Sequence, residues 1–107
     1  MADTSDDWEE GVGVFPTIPP KVGADPLVLA LLHALVFLEG SSDDIVERDA
    51  ADEAVEQMAA YLRRLSPQQK ADFQQSLQRL IEYARDEHWD DDQILYLKEF
   101  FENYGIE

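Results

Sequence analysis

The chain has 107 residues, 45% of them hydrophobic, with 24 Asp and Glu against 8 Lys and Arg, a formal net charge of -16. That length suits one modest core, and the apolar fraction excludes disorder throughout. The charge disfavours direct nucleic-acid or anionic-membrane binding, which both rely on cations, and favours encounter with a basic protein partner by electrostatic steering.

No cysteine is present, which removes disulfides, thiolate metal sites and cysteine nucleophiles. The opening MADTSDDWEE is acidic where a secretory leader would be basic. The most apolar run, residues 26–38, is shorter than the roughly 20 residues needed to span a bilayer. These features lead us to expect a soluble, cytoplasmic protein with no membrane segment.

Residues 1–25 carry Pro16, Pro19 and Pro20 together with Gly11, Gly13 and Gly23, which exclude a helix and predict an extended N-terminal arm. Trp8, Val12, Val14, Phe15 and Ile18 give this arm apolar handles. They are expected to pack along the helical body; a Pro-stiffened segment docking on another protein is the alternative.

A helical domain is expected over 26–107. Its first helix, 26–39, reads PLVLALLHALVFLE, with Asp25 as N-cap, Pro26 at the first position and Gly40 as a left-handed stop. A helix apolar on nearly all sides should be buried on nearly all sides. Ala30, His33, Ala34 and Phe37 share the side where a neighbouring helix could approach. His33 has no acid or second histidine near it in sequence, so it reads as a core residue bonded to backbone.

The second helix, 43–65, opens on Ser41, Ser42, Asp43 and Asp44. Ala51, Ala54, Val55, Met58, Leu62 and Leu65 form one face, and Asp49, Asp52, Glu53 and Glu56 the opposite one. Ile45 and Val46 would project near that acidic stripe. The helix must therefore kink or restart near residues 47–49, or these two side chains meet something else, such as the arm. A third helix, 67–87, starts with Ser66, Pro67 and Gln69 in a capping-box pattern and buries Phe73, Leu77, Leu80, Ile81 and Ala84. The fourth, 91–104, starts at Asp90 with Gln93 reaching back, and Trp89 can close on Ile94 as a staple. Gly105 ends it. Leu95 and Tyr96 fall off its apolar side and are left for solvent, a neighbouring helix or a partner.

The fold expected is therefore all-α, a single-domain four-helix bundle with an N-terminal arm, its short connections favouring antiparallel neighbours. No constellation for catalysis emerges. The serines sit mostly at helix starts, where capping accounts for them, and no Gly-rich phosphate loop with a lysine exists. The run Asp86 to Asp92 lacks EF-hand spacing, and capping explains Asp90, Asp91 and Asp92, so neither metal nor cofactor is expected. What remains is a non-enzymatic acidic interaction module, resembling an inhibitor or immunity protein in charge and size only, which binds a basic protein through Asp43, Asp44, Asp49, Asp52, Glu53, Glu56 and Tyr96. The alternative is a structural or assembly subunit that forms a homodimer through exposed apolar or aromatic helix surface.

Overall fold

Five α-helices and one 3-10 turn make up the regular structure of residues 11–107, the part of the chain that the computed structural model describes. The helices are α1 (Pro26–Gly40), α2 (Arg48–Leu62), α3 (Pro67–Asp86), α4 (Asp91–Lys98) and α5 (Phe100–Asn103), and the 3-10 turn is Pro20–Val22. No strand occurs among the described residues. The all-α expectation holds, and the expected fourth helix is divided at Glu99.

Capping chemistry sets most of these ends. Asp25 accepts from the Leu27 amide at 2.9 Å ahead of Pro26. Ser66 accepts from the Gln69 amide at 3.1 Å while Gln69 accepts from the Ser66 amide at 2.8 Å, a complete capping box. Asp90 and Gln93 begin α4 in the same way, with the Asp90 amide bonded to the Gln93 side chain at 3.1 Å. At the other end, Gly105 stands at φ 69° and the Ile106 amide reaches back to the Phe101 carbonyl at 2.9 Å, the six-residue closure of a left-handed stop. The same closure ends α3, from the Trp89 amide to the Ala84 carbonyl at 2.9 Å, but there the left-handed position belongs to His88 at φ 59°.

The core is built from Leu32 and Leu35 of α1, Leu77, Leu80 and Ala84 of α3, Leu97 and Phe100, closed by Phe15, Tyr104 and Ile106. α1 packs against α2 and α3 against α4. Leu62 lies beside Val28 and Leu31, so α2 returns antiparallel along α1. α3 contributes six buried residues and α1 only Val28, Leu32 and Leu35. The expectation that α1 is wrapped on nearly all sides is thus corrected. Leu27 is 79% and Phe37 40% exposed, and Ala30, His33 and Ala34 between them are exposed, so no helix among the described residues covers the small-residue side. His33 is not a core residue; its ring stands edge-on to Phe15, centroids 5.2 Å apart.

Two further details differ from the sequence expectation. α2 begins at Arg48, not 43: residues 41–47 form turns and bends, and the helix starts within the 47–49 interval where Ile45 and Val46 called for a kink or restart. A helix from 43 would have pointed Ile45 and Val46 toward the acidic stripe; in the turn both are half-buried, and the arm runs past them, its Gly11 carbonyl accepting from Ser42 at 2.7 Å. Gly40 is the last residue of α1 and not a left-handed stop. Its lack of a side chain serves contact instead, since a Cβ on Gly40 would lie 3.3 Å from the Gly13 Cα. The Trp89 ring stands edge-on to Phe15 at 5.6 Å and to Tyr83 at 6.2 Å.

The arm is therefore a strap. Phe15 is buried, Ile18 and Val22 pack against the core, and Trp8 lies outside the described residues. Two buried serines hold the strap: the Gly13 amide donates to Ser41 Oγ at 2.9 Å and the Asp25 amide to Ser76 Oγ at 3.0 Å. Arg79 adds a bond to the Gly23 carbonyl at 2.8 Å.

Candidate functional site

The acidic side of α2 is the first surface to consider, because its spacing alone specifies it. Asp49, Asp52, Glu53 and Glu56 recur at intervals of three and four and so share one helical face. With Glu47 and Ala50 they line a shallow, open hollow. Glu47, the residue preceding α2, was missed in the sequence reading because the helix was expected to begin earlier. Asp43 and Asp44 lie in the preceding turn, outside the helix.

Two of these acids have cations of their own. Asp43 pairs with Arg48 at 3.4 Å and Glu56 with Arg63 at 3.8 Å, both exposed. Asp44, Asp49, Asp52 and Glu53 have no such partner within 4.0 Å among the described residues. Asp49 gains from its place in the first turn, where the helix dipole favours an anion. The pairs Asp49–Glu53 and Asp52–Glu56, four residues apart, repel by about 0.2–0.5 kcal/mol each. The fold therefore carries a small electrostatic cost on this face, which a bound cationic surface would relieve.

Tyr96, grouped with these acids in the sequence reading, does not join them. It lines a second hollow of about 510 Å³ with Val36, Glu39, Gly40, Asn103 and Tyr104, where the end of α1 meets α4 and α5. The Tyr104 hydroxyl donates to Glu39 Oε1, and the Tyr96 and Tyr104 hydroxyls lie 2.9 Å apart. Burial pushes the Tyr96 phenol up to about 12, and the Glu39 charge adds to it. Tyr104 is raised further, by burial first and then by its bond to Glu39. Both phenols are therefore neutral at physiological pH. The sequence shows no sign of this grouping, because 65 residues separate Glu39 from Tyr104.

No protein-family model, curated protein or solved structure gives a significant match to this chain. Among the described residues no group of three or more His, Asp or Glu side chains is arranged to hold a metal ion, and no helix is long and apolar enough to cross a membrane.

Proposed function

We propose that the protein is a non-enzymatic acidic binding module whose α2 face engages a basic protein partner, in the manner of an inhibitor or immunity protein. The observation that carries this reading is the α2 hollow, in which Asp49, Asp52 and Glu53 are exposed and have no ion-pair partner among the described residues. A concave patch of one sign concentrates field and speeds encounter with the opposite sign, more so at low ionic strength. The phosphate backbone of a nucleic acid would be repelled by the same field. A cysteine-free chain of this kind is suited to the reducing cytoplasm.

The test is quantitative capture from source-cell lysate with three baits: the wild type, the quadruple variant Asp49→Lys, Asp52→Lys, Glu53→Lys, Glu56→Lys, and a control reversing Glu82 and Glu87. The reading expects a basic protein to be held by the wild type and the control and lost from the quadruple variant, with retention falling as salt rises. Capture that is indifferent to the α2 reversal, or confined to acidic proteins, refutes it.

The open side of α1 favours a second reading, self-association. Leu27, Ala30, Ala34 and Phe37 form an exposed apolar row, and burying such a row against its copy would be favourable. Opposing it is the charge of -16 that each copy brings, so association on this face would strengthen with added salt. Light scattering that gives the monomer mass across concentration and salt excludes this reading.

A further inference from the structure

The hollow at the end of α1 uses none of the α2 acids and has a chemistry of its own, fixed by its hydroxyl protons. Tyr104 has one hydroxyl proton, and Glu39 Oε1 accepts it. The bond between the Tyr104 and Tyr96 hydroxyls, 2.9 Å long, must then be donated by Tyr96. Each phenol has spent its donor, and the Tyr96 oxygen offers the hollow only lone pairs. Glu39 keeps a second carboxylate oxygen, and it has no ion pair among the described residues. The last turn of α1 adds to this, for its final carbonyls have no intrahelical donors, they form the negative end of the helix dipole, and no basic residue occupies that turn. The Tyr96 and Tyr104 rings and Val36 supply apolar and aromatic lining beside these acceptors. Acceptors, a carboxylate and ring faces together are what an organic cation needs, since its N–H groups require acceptors and its charge and carbon stem favour aromatic surface.

We propose that the hollow bounded by Glu39, Tyr96 and Asn103 binds an organic cation, an alkylammonium or guanidinium group. Such a group comes either from a free amine or from a Lys or Arg side chain of a protein partner. The hydrogen-bond chain is directional: the cation sits on Glu39 and the Tyr96 oxygen, and Tyr104 holds Glu39 in place from behind.

The experiment is a heteronuclear NMR titration of the full chain with n-butylammonium, methylguanidinium and the blocked tripeptides Gly-Lys-Gly and Gly-Arg-Gly. The expected result is saturable shifts at Glu39, Gly40, Tyr96 and Asn103. Glu39→Gln and Tyr96→Phe should each weaken binding by about tenfold, as loss of a charge-assisted or acceptor contact does, while Asp52→Asn leaves it unchanged. Tyr96→Phe keeps the Tyr104–Glu39 bond, so it carries the test if Glu39→Gln fails to fold. Equal binding of the amine and the peptides identifies a free amine as sufficient, and tighter peptide binding identifies a protein side chain. Shifts that do not saturate, that spread equally over the α2 acids, or that survive Tyr96→Phe overturn the proposal. Failure of the α2 capture experiment leaves this result untouched, so the two readings fall separately.

Discussion

Replacing Phe15 by Ala tests whether the strap is part of the fold or merely laid on it. Phe15 is 6% exposed and meets His33 and Trp89 edge-on. A buried aromatic side chain removes about 150 Å² from water, which at about 25 cal/mol/Å² amounts to about 4 kcal/mol, within the usual 3–5 kcal/mol range for Phe→Ala in a core. The strap can peel away locally without unfolding the helices, and that route caps the loss. We therefore expect a global loss of about 2–3 kcal/mol in urea denaturation, together with a local signature. The Gly13 and Asp25 amides, held by Ser41 and Ser76, should exchange hydrogen much faster, while the Leu80 amide follows only the global change. A loss below about 1 kcal/mol with unchanged Gly13 and Asp25 protection would refute the view that Phe15 anchors the strap.

Gly13→Ala should release the strap by another route, because its Cβ would sit 2.3 Å from the Val36 carbonyl oxygen; faster exchange at Gly13 with the core intact is expected, and unchanged exchange counts against the close packing of Gly13 on α1. His88→Gly should stabilise the protein by about 1 kcal/mol, since His88 fills a left-handed position that disfavours a side chain, and a thermal midpoint that does not rise would refute this. Asp52→Asn with Glu53→Gln should raise stability by about 0.5 kcal/mol at low salt and by nothing at about 1 M salt, as relief of like-charge pairs requires, while weakening partner capture. The Tyr96 phenol, raised to about 12, favours the folded state while neutral. Its contribution is complete below the unfolded value near 10 and is lost as pH rises through 12. Denaturation midpoints should therefore fall between pH 10 and 12 more steeply in the wild type than in Tyr96→Phe, and parallel slopes would exclude the effect.

What could be read in the sequence was what lies within one turn of helix. The Asp25, Ser66 and Asp90 starts, the α3 stripe and the α2 acid spacing depend on partners three or four residues away. Burial is different in kind, because an apolar residue requires cover that its own segment does not provide. α1 is the most apolar helix, yet α2 and α3 cover only part of it and leave Leu27 and Phe37 open, while the less apolar α3 buries a full stripe. Hydrophobicity states how much a helix would gain from burial; the surrounding chain decides how much it gets. The same distinction separates the two candidate surfaces. The acids of α2 were legible because one helix presents them, whereas the Tyr96–Tyr104–Glu39 chain joins the end of α1 to α4 and the residue after α5 and exists only once the helices are packed. The α2 face should therefore keep its charge pattern even in a partly unfolded chain, and the cation hollow should not. Partial denaturation that abolishes amine binding while leaving salt-dependent attraction to a basic partner would separate a surface made by sequence from a site made by the fold.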